Sequence, residues 1–595
     1  MAAAAGPAPA ARGLTSRPVV RHLALLAAYL VAGIALTWPD ATYLTGNHLP
    51  AVRDVSGYVW DLWWTAHQVV HLSNPWFTGH MAAPVGIQLG FDTTMPLAGL
   101  IMTPVTLLFG PSASFTLLTI VLPGLLCYVM YRAARLWLGP AGAIAAGALF
   151  GLSSMMAWQD WYHLNIALGS LFLPMTLEAA VRLRRRPGPR QGVILGVVVG
   201  GSVLVNQESA VMAVLLAAAA LLPWLAGRRA GARLPALRAL AAGAIAAAVV
   251  ASPQLIAMIQ QAASGGGASE APDKLAASYV TFGASLNGLF APSPQVARYG
   301  LHGLASLYHY RIPTESVETF GLVLTVLALF GLAVSWRRRS AWLLAAFWVV
   351  CAWLALGATL VIGSRSYVPL PETWHGTRVS LIMPYTWLVH VPGLSALREA
   401  DRLALLGLVA AALLAGAAVD WLARHARLAI VVVGVLALLE AGWTAPPSRG
   451  LMPTALPAVD GPIAADHSGS IVLDIPFGLR GGLPLYGSGT PKAALLLATH
   501  DGHPRAISYS SWVPRATAAW FKRHPFYVWL VRAQNGSSVS GAGLAAARSD
   551  VHGMNIGWVL VWDRTPAGVV RYLTGVGFTF AYRADHISVY RTGWK

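Results

Sequence analysis

Eleven apolar runs, each close to the length of a bilayer-crossing helix, constrain this 595-residue chain more than any other feature. They cover 21–38, 113–136, 140–157, 163–183, 191–206, 209–226, 236–258, 319–336, 340–362, 402–422 and 428–444. A spanning helix needs about 20 mostly apolar residues, fewer where interfacial groups flank it. Lipid offers the backbone no hydrogen-bond partner, so such runs fold as helices. A twelfth run, 95–110, is short and interrupted by Pro96 and Pro104. Only 11% of residues are charged, against about 25% in soluble domains, which excludes an ordinary soluble enzyme.

The charges that remain orient the helices. The net charge is +18, and basic residues cluster in short loops: Arg132 and Arg135, Arg182–Arg190, Arg228–Arg238, Arg337–Arg339, Arg424 and Arg427. With the N-terminus (Arg12, Arg17, Arg21) inside and 95–110 not crossing, all these loops fall on the cytoplasmic side, 19 Arg in total. Counting 95–110 as a span inverts every later loop, so it reads as re-entrant or interfacial. The basic residues sit beside spans and not on a soluble patch, so nucleic acid is not a partner. Arg outnumbers Lys 37 to 4, a bias associated with GC-rich bacterial coding. Cys127 and Cys351 lie inside apolar runs and support neither a disulfide framework nor a thiolate metal site. The first run has no small-residue cleavage site after it and reads as an uncleaved span.

Three regions follow. Residues 1–20 form a disordered cytoplasmic tail, 21–444 a transmembrane module, and 445–595 an α/β domain outside the membrane. In the last region β-rich runs (Ile471–Ile475, Trp558–Trp562, Phe578–Tyr582, Ile587–Tyr590) alternate with helix-like runs at 491–500, 516–533 and 565–575. The fold class is therefore a polytopic α-helical membrane protein of about eleven spans plus one re-entrant segment and a C-terminal α/β domain.

Polar groups at the membrane edge carry the functional signal, because burying them is costly. In the first outer loop (39–112), Asp54 is placed to cap a helix over Val55–Leu72. Asp61, Trp64 and Gln68 share one face of that helix. The helix is expected to lie among the headgroups, with Trp60, Trp63 and Trp64 as an aromatic belt. His67 and His71, four residues apart, could hold a metal but lack a third ligand at defined spacing, so no metal residues are assigned. Other edge groups open different spans: Asp160, His163 and Asn165; Asn206 to Glu208; Glu315 and Glu318; Arg398, Glu399, Asp401 and Arg402. Together they are expected to ring one cavity at one leaflet.

The pattern resembles the GT-C superfamily of integral-membrane glycosyltransferases that use polyprenyl-phosphate sugars, most of all bacterial, including actinobacterial, members. The resemblance rests on an acidic residue after the first span in a loop with Tyr58, Trp60, Trp63 and Trp64. It rests further on Pro84-Val85-Gly86, on Phe150-Gly151-Leu152-Ser153 before His163-Leu164-Asn165, and on the stretches Glu315 to Gly321 and Arg398 to Arg402, each of which opens a span. It implies an inverting transfer to an envelope glycan or lipid at the outer face of a bacterial plasma membrane. Asp54 would be the base, kept ionised by Arg53, with Asp61 or Glu318 as rivals. Asp61, His163, Asn165, Glu208, Glu315, Glu318, Arg398 and Arg402 would bind donor phosphate, sugar or acceptor, the arginines facing the lipid phosphate.

No cofactor is fixed by these residues, and a divalent cation is left open. Neither a P-loop nor a Rossmann phosphate loop is present. Two alternatives are a flippase or transporter of a lipid-linked glycan, and a non-catalytic scaffold of envelope assembly. A transporter predicts charges along span interiors, where Glu178 and Glu440 are the main examples, both near span ends.

Overall fold

A computed structural model describes residues 16–44, 48–51, 54–227, 230–264, 282–290, 319–362, 365–367, 371–374, 377–380, 383–388, 391, 394, 397, 399–444, 451–481, 483–491, 493–563 and 565–593. Each of the eleven apolar runs is helical over most of its length. The helices up to residue 444 are α1 (Ser16–Leu36), α2 (Val55–Val70), α3 (Pro96–Phe109), α4 (Pro111–Ala134), α5 (Pro140–Gly151), α6 (Ser154–Tyr162), α7 (Leu164–Ser170) and α8 (Phe172–Arg185). They continue with α9 (Pro189–Val203), α10 (Gln207–Ala226), α11 (Ala230–Ala263), α12 (Leu322–Val334), α13 (Arg339–Ala355), α14 (Ala404–His425) and α15 (Arg427–Thr444). Among the described residues, seven helical stretches are long and apolar enough to cross a membrane, two of them formed by α5 with α6 and by α7 with α8. The chain is a multi-pass membrane protein. α1 begins at Ser16, inside the segment expected to be disordered.

Local chemistry sets the helix starts. α3, α4, α5 and α9 each place Pro at the first turn, where the missing N–H costs nothing. Ser153 caps α6 by accepting from the Met156 N–H, and Asn206 caps α10 by accepting from the Ser209 N–H. Two acidic residues cap other helices across space. Asp420 accepts from the N–H groups of Gly139 and Gly142 at the start of α5, and Glu440 from those of Leu322 and Val323 at the start of α12. α5 and α14 approach so closely that a Cβ at Gly142 would stand 2.3 Å from the Gly416 carbonyl oxygen, so only glycine fits there. α3 has 14 residues, about 21 Å of helix against a hydrocarbon core of about 30 Å. It packs through Gly99 onto Thr65 of α2 and exposes Ile101, Leu107, Leu108 and Phe109.

Residues 451–593 form a sheet-containing unit. Its strands are β2 (Leu451–Pro453), β3 (Ile471–Ile475), β4 (Gly478–Gly481), β5 (Leu483–Gly487), β6 (Ser508–Ser510), β7 (Ile556–Trp562), β8 (Phe578–Ala584) and β9 (Ile587–Thr592), and β1 is His48–Pro50 in the first loop. The main sheet runs β8-β9-β7-β3, with β7 and β3 parallel and the other pairs antiparallel. Side chains alternate across it: Ile471, Leu473 and Val559 enter one core, while Val472, Trp558 and Leu560 enter the other. Helices therefore cover both faces, which explains why β3 and β7 read as continuous apolar runs. A second sheet, β5-β4-β6, lies beside it.

The first loop is built into this unit. β1 pairs with β2, and the backbone N–H groups of Ala82 and Ala83 donate to the carbonyls of Ile507 and Arg505. Trp60 and Trp64 are buried in the same core as Leu473 and Phe477, and the opposite face of α2, with Val55, Val59 and Leu62, packs on the membrane helices. This corrects the expected headgroup belt. α2 is wedged between the two parts of the protein, with Trp60 and Trp64 on the C-terminal unit and Val55, Val59 and Leu62 on the membrane helices.

Candidate active site

Asp54 occupies the residue before α2, but its carboxylate makes no cap hydrogen bond, contrary to the expectation from sequence. It turns instead toward the C-terminal unit. Asp54 Oδ1 accepts a short hydrogen bond from the Tyr509 hydroxyl of β6 and lies 3.4 Å from Arg480 Nη1 of β4. The Arg480 guanidinium in turn lies over the Tyr509 ring, 4.3 Å from its centroid. Gly57, one turn into α2, makes room for that ring, since a Cβ there would stand 3.3 Å from it. Asp54 Oδ2 is 3.9 Å from His163 Nε2. The Asp54 side chain remains 26% exposed, with Oδ1 held by Tyr509 and Arg480.

The α6–α7 junction supplies His163 and Asn165, and Asn165 Oδ1 accepts from the Tyr58 hydroxyl at 2.9 Å. Glu208, in the first turn of α10, reaches Arg402 with 2.5 Å between Nη1 and Oε2. Glu399 binds the same nitrogen. The structure thus places Asp54 beside His163, Tyr58 against Asn165, and Glu208 against Arg402. Glu315, Glu318, Arg398 and Arg53 lie outside the described residues.

The electrostatics separate the two carboxylates of α2. Burial pushes the Asp54 carboxyl up, but Arg480, His163 and the Tyr509 hydrogen bond together hold it below the usual carboxylate range. Asp61, two turns on, is pushed well above that range by burial and then by nearby Asp92. It therefore does not simply face water, and it favours the protonated form. Asp92 itself ties the first loop to the C-terminal unit, its Oδ1 accepting from the Ser511 N–H at 3.1 Å. Paired groups with opposite shifts are a recurring way to assign a base.

Arg402 Nη1 is shared by two carboxylates, Glu208 and Glu399. Among the described residues no group of three or more His, Cys, Asp or Glu could hold a metal ion, and His67 and His71 pack ring against ring, 4.3 Å between centroids. Arg480 and Tyr509 were missed altogether. Both sit in short strands more than 400 residues from Asp54, where only tertiary pairing reveals them. About 20 Å along α2 from Asp54, a cleft of about 530 Å³ is lined by Trp64, Gln68, Asn74, Phe77 and His80. No formally charged residue lines it, because burial and then His67 lower His80.

No protein-family model matches the chain, and no curated protein matches it in sequence. Solved structures do. The arabinofuranosyltransferase AftD from mycobacteria matches with a TM-score of 0.57 at 15% identity, over 96% of this chain and 40% of that one. The Archaeoglobus fulgidus oligosaccharyltransferase matches with a TM-score of 0.51 at 12% identity, over 96% and 74%. The chain spans about two fifths of the length of AftD. At such identities the likeness shows the fold, which is that of the GT-C glycosyltransferases.

Proposed function

We propose that this GT-C-fold membrane protein transfers a sugar from a polyprenyl-phosphate donor to a glycan or lipid acceptor at the outer face of a bacterial plasma membrane, with inversion. The observation that carries this reading is the placement of Asp54: Oδ1 is held by Tyr509 and Arg480, Oδ2 lies 3.9 Å from His163 Nε2, and the side chain is partly exposed. An acceptor hydroxyl attacks the anomeric carbon while Asp54 Oδ2 takes its proton. The bond from that carbon to the phosphate oxygen breaks, and its electron pair leaves with the polyprenyl phosphate. Arg402 and Arg398 meet the phosphate charge. His163, 3.9 Å from Oδ2, orders the reacting hydroxyls. The uncharged, aromatic-lined cleft along α2 suits a neutral glycan acceptor, whose hydroxyls and C–H faces match amides and rings.

The structural neighbours, an arabinofuranosyltransferase and an oligosaccharyltransferase, support sugar transfer over transport. So does the use made of the charges in the spans. Glu178 pairs with Arg132 and Arg182, while Asp420 and Glu440 cap helix starts, so none of the three marks a path through the bilayer. The purified full-length chain, given a panel of radiolabelled polyprenyl-phosphate sugars and membrane acceptors, should release polyprenyl phosphate with one donor class. Movement of a lipid-linked glycan across proteoliposomes without turnover would favour the flippase instead.

The orientation follows from the arginine loops, with the N-terminus cytoplasmic and the C-terminal unit outside. In a background lacking Cys127 and Cys351, Ser488→Cys should react with an impermeant thiol reagent applied outside, and Arg338→Cys should not. Labelling at 338 from outside would overturn the topology.

A further inference from the structure

A second cavity, this one lined by charge, lies at the opposite end of the spans from Asp54. It has a volume of about 320 Å³, and its walls include His22, Tyr128, Arg132, Arg135, Glu178 and Arg182. Arg132 and Arg182 stand in the last turns of α4 and α8, and His22 near the start of α1. One oxygen, Glu178 Oε1, accepts from both Arg132 Nη2, at 2.9 Å, and Arg182 Nη2, at 2.5 Å. Arg135 Nη1 donates to the Leu138 carbonyl at 2.7 Å.

Three guanidiniums thus answer to a single carboxylate. The α4 and α8 C-termini add a partial negative charge of about half a unit each, which seats the arginines but leaves the wall positive. Arg132 and Arg182 are 44% and 47% exposed, so they are not sealed into a structural pair. An anion entering here neutralises the excess and receives charge-assisted hydrogen bonds from a fork geometry suited to phosphate.

The surroundings select the source of that phosphate. Beside His22 on α1, Val19, Val20 and Leu23 are all more than half exposed and apolar, a surface on which acyl chains can lie. A basic pocket between helix ends at the membrane boundary, flanked by apolar helix surface, is built for a lipid headgroup. We propose that this cavity binds the phosphodiester headgroup of an anionic phospholipid, at the membrane face opposite the sugar-transfer site. Binding does not depend on the transfer reaction, so it stands or falls separately from the function proposed above.

The test is equilibrium binding of phosphatidylglycerol, phosphatidylcholine and inorganic phosphate to the purified full-length protein in neutral detergent, read by native mass spectrometry. Phosphatidylglycerol should bind about tenfold or more tightly than phosphatidylcholine. Arg135→Gln, which gives up only one bond to a carbonyl, should reduce that preference several-fold. Glu178→Gln removes the one competing carboxylate and should strengthen phosphatidylglycerol binding, whereas a merely damaged cavity would lose it. Equal binding of the two lipids, or an Arg135→Gln preference equal to wild type, overturns the proposal. Binding of inorganic phosphate without preference for the anionic lipid would assign the cavity to a soluble anion and overturn it too.

Discussion

Asp54→Asn is expected to lower sugar transfer by about 10²-fold or more while the protein still folds. The asparagine side-chain oxygen can still accept from Tyr509, and no helix cap is lost, because Asp54 makes none. What disappears is the proton acceptor. The pH profile gives an independent reading. Because Asp54 is held below the usual carboxylate range, kcat/KM should stay level from neutral into mildly acidic conditions and fall only at lower pH. Arg480→Gln removes the largest influence lowering Asp54 and leaves burial, so the acid limb should move to higher pH. Tyr509→Phe should move it the same way by less. If Asp61 were the base, the limb would already lie above the usual carboxylate range in the wild type, since burial and Asp92 raise that group. Wild-type turnover by a folded Asp54→Asn protein would transfer the role to Asp61 or Glu318.

The largest stability effect is expected at Arg505. Its side chain and those of Asp474 and Asp501 are fully buried; Arg505 binds Asp501 closely and lies 3.4 Å from Asp474. Trp562 completes the group by donating to Asp474 Oδ1 at 3.0 Å. Removing one partner of a buried pair costs about 3–5 kcal/mol, because it strands charge in a dry interior. Arg505→Met should therefore destabilise the C-terminal unit by about 3 kcal/mol, near the low end. Burial already raises Asp474 against the pull of Arg505, so without the cation that carboxyl takes up a proton. The Arg505 backbone donates to the His80 carbonyl and accepts from the Ala83 N–H in the first loop, so the loss should loosen the loop that carries Asp54. Protease susceptibility of the C-terminal unit under increasing denaturant measures this, and a wild-type profile would contradict it.

Much of this was legible in the chain. Apolar length alone locates the helices, because lipid leaves the backbone one way to satisfy itself. Arginine loops account for setting the 95–110 run apart, and helix length does not decide it, since α3 has 14 residues and α12, read as a span, has 13. The strands at 471–475 and 556–562 were readable because both of their faces are covered. The misreadings share a physical cause. A Trp stripe at a membrane edge looks the same whether headgroups or another domain cover it, and only the pairing of β1 with β2 decides. Asp54 has the residue type of a cap, yet Arg480 and Tyr509 offer it charge-assisted partners that a lone N–H cannot match. Glu440 looked like an interior charge and is a cap for α12, a role set by a helix 118 residues away.

The most direct test of direct displacement driven by Asp54 is the anomeric configuration of the product. With a donor that turns over, ¹H coupling in the glycosylated acceptor should report a linkage inverted relative to the polyprenyl-phosphate sugar, with polyprenyl phosphate formed in equal amount. A retained linkage would require a glycosyl–enzyme intermediate that a base at Asp54 does not explain, and would contradict the account.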